Sequence, residues 1–276
     1  MKRTLLAAAI AAVCTGSAFA DDAPPYTLTA NVGAVSDYVF RGISQSGGDP
    51  AIQGGVDFTH SSGIYLGTWM SSISWVADTQ GGRYPTEIDL YGGYRGTFAD
   101  DYSYDVGLIT YNYLGHGRNS KDAVSPWTAE AYGQLGWKFL AVKYSHVISP
   151  NFVGWGSTST GVGAGGVANV RSRNSHYLEA NATYDLGNGW GAAAHVGHQW
   201  VRGFESGDAS GINASYTDWN LGATKDVGFG VVGLKYTQTN AQGDCSTAQA
   251  YCWGSATGST YNAARSKVIA SFTKTF

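Results

Sequence analysis

The joints between the strand-like segments of this chain alternate in length, long then tight, from the first segment to the last. Period-two alternation of apolar and polar residues marks twelve segments, at about 28–42, 51–59, 64–72, 86–96, 102–112, 127–136, 139–148, 176–185, 190–200, 216–225, 229–239 and 265–276. The tight joints are His60-Ser61-Ser62-Gly63, Phe98-Ala99-Asp100-Asp101, Gly136-Trp137-Lys138, Gly187-Asn188-Gly189 and Asp226-Val227-Gly228. The long, polar joints are 43–50, 74–85, 113–126, 149–175, 201–215 and 240–264. An even strand count with turns sorted this way predicts an all-β chain: a closed antiparallel up-and-down transmembrane β-barrel, with short periplasmic turns and long extracellular loops. A Greek-key sandwich has no reason to sort its connections. Composition agrees without deciding, because 39 Gly, 18 Tyr, 9 Trp and 10 Phe with 13% charged residues suit any protein made of many strands joined by turns.

Hydrocarbon offers no hydrogen bonds, so a spanning sheet must close on itself and show lipid only its apolar parity. In the first segment Leu28, Ala30, Val32, Ala34, Tyr38 and Phe40 share a face, opposite Thr29, Asn31, Asp37 and Arg41. In the fourth, Ile88, Leu90 and Tyr94 oppose Glu87, Asp89, Tyr91 and Arg95. The third is ambiguous, since Ile64, Leu66 and Met70 compete with Tyr65 and Trp69 for the lipid side. In the last, Val268, Ala270, Phe272 and Phe276 lie on one parity, and Lys267, Ser271, Thr273 and Thr275 on the other. A terminal aromatic strand of this kind resembles the closing strand that the barrel-assembly machinery reads. That makes Phe272 and Phe276 the candidate assembly signal, outer-membrane lipid the expected surroundings, and the assembly machinery a partner during biogenesis.

The amino terminus fits export. Met1-Lys2-Arg3 is basic, Leu5 to Val13 is apolar, and Ala18-Phe19-Ala20 is a small-x-small cleavage site, so residues 1–20 read as a signal peptide and 21–276 as one outer-membrane barrel domain. Cys14 is a poor lipoprotein cysteine because Val13 precedes it and a better cleavage site follows. After cleavage fifteen basic side chains face twenty acidic ones, a mild balance that gives no reason to expect nucleic acid as a partner.

Three blocks carry a family resemblance: Ser36-Asp37-Tyr38-Val39-Phe40-Arg41-Gly42-Ile43-Ser44-Gln45, then Ser62-Gly63-Ile64-Tyr65-Leu66-Gly67-Thr68-Trp69, then Glu87-Ile88-Asp89-Leu90-Tyr91-Gly92-Gly93-Tyr94. Together they resemble the TorF family, proteobacterial outer-membrane proteins assigned as porins without an established substrate. The resemblance covers essentially the whole exported chain. It implies an outer-membrane barrel and leaves the solute open. One departure is Lys274, third from the end, where barrel signals usually place an apolar or aromatic residue.

The parity opposite lipid assigns fourteen charged residues to the lumen. The acids are Asp37, Asp57, Glu87, Asp89, Asp105, Glu130, Glu179 and Asp218, and the bases are Arg41, Arg95, Lys143, Lys235, Arg265 and Lys267. Asp37 and Arg41 are too far apart along a strand to pair, at roughly 13 Å. Arg41 is expected to meet acids of the second or last strand. A charged lumen in a barrel of this size implies a passive channel for ions or small polar solutes. The competing reading is a sealed barrel, knitted shut by its own charges and used for structure, adhesion or surface interaction.

Cys245 and Cys252, both in the last long joint, predict a disulfide in an oxidising compartment. His195 and His198 are three apart on one strand and so point to opposite faces, while His146 and His176 could be cross-strand neighbours at the rim. Neither pair, nor the cysteines, makes a convincing metal site, and no cofactor is implied. No Gly-x-Ser-x-Gly or His-Glu-x-x-His motif is present, so an outer-membrane hydrolase is the weakest reading and no catalytic residue is assigned. The glycine-rich run 154–166 in the joint 149–175 could fold inward and constrict the pore, or remain a surface loop.

Overall fold

The computed structural model describes residues 24–117, 124–156, 170–208, 211–247, 249–255 and 258–276. The segment 1–20, expected to be an export signal, and most of the glycine-rich run lie outside the described residues. Twelve antiparallel strands close into a barrel: β1 (Tyr26–Val35), β2 (Ala51–His60), β3 (Ile64–Ser72), β4 (Arg83–Phe98), β5 (Tyr102–His116), β6 (Thr128–Trp137), β7 (Leu140–Val147), β8 (His176–Gly187), β9 (Trp190–Trp200), β10 (Tyr216–Asp226), β11 (Val231–Thr239) and β12 (Lys267–Thr275). Each strand pairs with its neighbours in sequence, and β12 closes on β1 with Ala34 opposite Phe272 and Asn31 opposite Thr275. Phe276 joins this seam through its backbone, donating to the Ala30 carbonyl at 2.8 Å and accepting from the Ala30 N–H at 3.2 Å.

The outward face is apolar around the whole circumference. Leu28 (64% exposed), Leu90 (54%), Leu221 (56%) and Val268 (64%) project from strands on different sides of the barrel. Such a continuous apolar belt far exceeds the patches that soluble proteins expose, and it identifies the solvent on that face as lipid. At the short-turn end Tyr26, Phe98, Tyr102, Trp137, Phe139, Trp190, Phe229 and Phe276 are exposed together, an aromatic girdle of the kind found at a membrane interface. Lys274 fits there, with its ammonium 5.6 Å from the Phe276 ring centre and donating to the Phe229 carbonyl. No helix among the described residues is long and apolar enough to cross a membrane.

The third strand resolves its ambiguity: Ile64, Leu66 and Met70 face out, and Tyr65 is buried inside. Its register explains part of the glycine content. A Cβ at Gly93, opposite Tyr65, would lie 2.6 Å from the Tyr65 hydroxyl, and one at Gly107, opposite Tyr132, would lie 2.6 Å from the Tyr132 hydroxyl. Lumenal tyrosines therefore lie across missing side chains on the next strand, which lets large rings fill a narrow barrel without strain.

The first segment departs from expectation. β1 stops at Val35, and residues 36–50 leave the wall instead of extending it to 42. Val39–Phe40 and Ile43–Ser44 form a two-stranded hairpin inside the barrel, turned by Arg41 and Gly42 at φ 46° and 79°. Two consecutive left-handed residues are the geometry of a tight hairpin turn, and Arg41-Gly42 supplies it. Tyr38 and Phe40 accordingly do not face lipid. Tyr38 is buried against Trp69 with ring centres 5.2 Å apart, and Phe40 packs on Tyr111 at 5.5 Å. The extended arm of the hairpin continued the period-two pattern, which is why it read as wall.

The long joints fold over the hairpin. α1 (Trp75–Gln80) lies in the joint between β3 and β4, and the backbone N–H groups of Ser74 and Trp75 donate to the Gln45 carbonyl. Two apolar clusters form at this end, one around Val147, Phe152, Val201, Phe204 and Tyr251, the other around Tyr38, Ala51, Trp75 and Val76. Cys245 and Cys252 form the expected disulfide, with Cα atoms 5.0 Å apart.

Placing a charge on the belt tests the assignment of its solvent. Leu90→Arg is expected to lower folding stability in lipid vesicles by about 2–4 kcal/mol, read from urea titration. A water-facing position would change by no more than ~0.5 kcal/mol.

Candidate functional site: the lumen and its hairpin

The hairpin crosses the barrel from one wall to the other. At its base the Asp37 carboxylate pairs with the Lys267 ammonium of β12 and accepts from the Ser44 and Ser46 hydroxyls at 2.6 and 3.1 Å. At its tip Arg41 makes a two-pronged ion pair with Glu130 of β6, Nη1 to Oε1 at 2.9 Å and Nη2 to Oε2 at 2.8 Å. Nη1 also donates to Gln199 Oε1 at 2.8 Å, and Tyr111 donates to Glu130 Oε2 at 3.1 Å. The guanidinium lies 4.3 Å from the Tyr177 ring centre and 4.8 Å from that of Phe40. Burial works against the Arg41 charge, but the adjoining Glu130 carboxylate more than reverses this, so Arg41 holds its proton more firmly than a free arginine.

Arg41 thus meets an acid of the sixth strand, not of the second or last. The physical reason is the departure of residues 36–50 from the wall, which carries the tip across the lumen. Gly42 fixes how close the tip comes: a Cβ there would stand 2.7 Å from Asp218 Cβ and 3.1 Å from Thr239 Cβ. Only glycine combines that approach with a positive φ.

The wall charges sort into clusters. Asp218 accepts from the Tyr177 hydroxyl at 2.8 Å and meets His195 Nε2 at 3.1 Å, while Glu179 lies 3.4 Å from His195 Nδ1 and accepts from Asn181. Toward the short turns, Tyr65 donates to Asp105 at 2.5 Å and contacts the Tyr132 hydroxyl, and Tyr91 donates to Asp57 at 2.6 Å. Arg95 donates to Thr59 and lies over Tyr65, and Lys143 lies over Tyr132. Lys235 lines a cavity of about 280 Å³ bounded by Asp37, Tyr38 and Val39 of the hairpin and by Gln53, Trp69, Asn220, Thr224 and Ser271 of the wall. Glu87 and Asp89 are buried under Tyr38 with no ion pair among the described residues. Arg265 is exposed in the joint before β12, outside this set.

His195 and His198 face opposite sides, as their spacing requires. His198 bonds Thr217 at 2.7 Å and packs on Trp200. His146 and His176 are cross-strand partners with rings 6.5 Å apart, set among Tyr144 and Trp200. Among the described residues no three His, Cys, Asp or Glu side chains are grouped to hold a metal ion. Sequence reasoning missed Gln199, Tyr177, Tyr111 and His195 as lumenal partners. Parity with Glu179 and Glu130 would have found them, because facing residues on paired strands share a side.

The chain belongs to the family described as "Bacterial protein of unknown function (Gcw_chp)", whose model matches residues 19–276. No curated protein matches it. Among solved structures it is similar to the KdgM porin in complex with disordered oligogalacturonate, at 7% identity, covering 91% of this chain and 98% of that one, TM-score 0.47. The NanC porin matches at 10% identity over 90% of this chain and 98% of that one, TM-score 0.47. Pseudomonas aeruginosa OprD matches at 13% identity over 90% and 66%, TM-score 0.39.

The tip ion pair sets a stability test. Glu130→Ala strands a buried guanidinium and is expected to cost about 3–5 kcal/mol, measured by denaturant in vesicles. Arg41→Met with Glu130→Leu removes both charges and is expected to cost less than the single change. A double-variant loss equal to the sum of the two single-variant losses would show that the side chains are not a coupled pair.

Proposed function

We propose that the protein is an outer-membrane channel of porin type, passing ions or small polar solutes along a lumen narrowed by the 36–46 hairpin. The carrying observation is the inward hairpin, pinned at its base by Asp37–Lys267 and at its tip by Arg41–Glu130. An inward-folded segment lined by charges is how a barrel of modest width converts an open bore into a filter. The resemblance of the hairpin block to the TorF family supports this reading, as does the signal peptide expected at 1–20. In that orientation the short turns face the periplasm and the long loops the exterior. Eight lumenal acids against five bases, with Arg265 outside, favour cations over anions. On this reading the thirteen remaining parity-assigned charges tune selectivity, and Phe272 and Phe276 remain the proposed assembly signal.

One observation favours the sealed barrel: the apolar clusters that cover the long-loop end contain Val76, Val147, Val201 and Phe204, all fully buried. Planar-bilayer recording of the purified protein separates the two. A channel is expected to give discrete, small current steps whose reversal potential in a salt gradient reports cation preference. Sustained silence across repeated insertions would leave the sealed barrel.

A further inference from the structure

The buried acids of this lumen do not share the same circumstances. Asp37 is ion-paired to Lys267, and Glu130 to Arg41. Glu87 and Asp89, only 3% and 7% exposed, have no such partner among the described residues. Glu87 Oε2 and Asp89 Oδ1 are each buried without any hydrogen bond. The two residues are adjacent on the lumenal parity of β4, about 7 Å apart along the strand. Their surroundings are the rings of Tyr38, Tyr111 and Tyr113, with Trp69 opposite Asp89 in register. Glu130, the acid paired to Arg41, adds further negative charge near Asp89.

Tyr38 hydrogen-bonds Glu87, which leaves Oε2 of that carboxylate and Oδ1 of Asp89 without a donor, and buried carboxylates with no countercharge are costly. The chain spends hydrogen bonds freely elsewhere in this lumen, with serines and lysine on Asp37, arginine and tyrosine on Glu130, and tyrosine and histidine on Asp218. Two neighbouring carboxylate oxygens here receive no donor from the described residues. We propose that Glu87 and Asp89 form a binding station for one partly hydrated divalent cation, beneath the hairpin. A single divalent ion balances both charges. Two carboxylates with waters completing the shell is a coordination that Mg²⁺ accepts and that Ca²⁺ tolerates with added oxygen ligands. The inference deepens the channel reading by naming the ion class at its constriction, and it rests on that reading for the ion's route of entry.

Binding is measured on full-length protein in detergent, with Tb³⁺ as the probe and Mg²⁺ and Ca²⁺ as competitors. Trp69 and the surrounding tyrosines serve as sensitisers. The expected result is saturable sensitised emission, displaced by Mg²⁺ or Ca²⁺ and weakened about tenfold or more in the Glu87→Gln/Asp89→Asn variant. Divalent ions should also raise the unfolding temperature of the wild type and not that of the variant. In chelator the variant should unfold at a higher temperature than the wild type, because its amides remove the stranded charges. If the double variant does not fold, Asp89→Asn alone is read the same way. Emission identical in wild type and variant would overturn the station. So would an unfolding temperature that follows pH and ignores divalent ions, since a proton would then be the neutralising charge. Conductance is recorded separately: binding without current steps removes the channel and keeps the station, and current steps without binding do the reverse.

Discussion

Everything in this molecule follows from the absence of hydrogen-bonding partners in hydrocarbon. A sheet that crosses lipid must pair every backbone group, so β12 returns to β1 and the barrel has no edge. Closure divides the side chains into two populations with no middle ground. Apolar residues such as Leu28 and Val268 go out, and most charges of the strands are forced into one narrow interior. That interior then faces the opposite problem, of satisfying polar groups in limited space and limited water.

The chain answers mostly with tyrosines laid across glycines and with a segment recruited from the wall. The hairpin brings the Arg41 guanidinium to a carboxylate of β6 and accepts a lysine from β12, so one short element neutralises charge on both sides of the bore. The pairing is a matter of position more than of net stability, because two buried charges cost nearly as much to desolvate as they return. What it fixes is where the tip sits, hard against Asp218 with only a glycine's clearance. The tip is thereby held at one position across the bore.

Strand count, the sorting of turns from loops, and the inside-outside register were legible in the sequence because each depends on a local period or a local turn. The face of Phe272 and Phe276, the inward parity of Glu87 and Asp89, and the cysteine pairing needed no tertiary knowledge beyond that. The hairpin was not legible as such, although its residues stood out. Val39-Phe40 alternates like wall, and only the consecutive positive φ values at Arg41 and Gly42 turn the chain back. An arginine in the left-handed region is an uncommon choice that local propensity does not announce, and here its ion pair with Glu130 holds it. Gln199 and His195 are not legible as lumenal for a different reason: neither carries a formal charge to mark its parity.

The central claim is that residues 36–46 set the passage through the barrel. It is tested most directly by single-channel current through a chain in which residues 38–45 are replaced by two glycines, compared with the intact chain in the same bilayer and salt. The account predicts a current several-fold larger in the trimmed barrel, with β1 to β12 still closed as judged by heat-modifiable migration. Equal currents through the two barrels would contradict it.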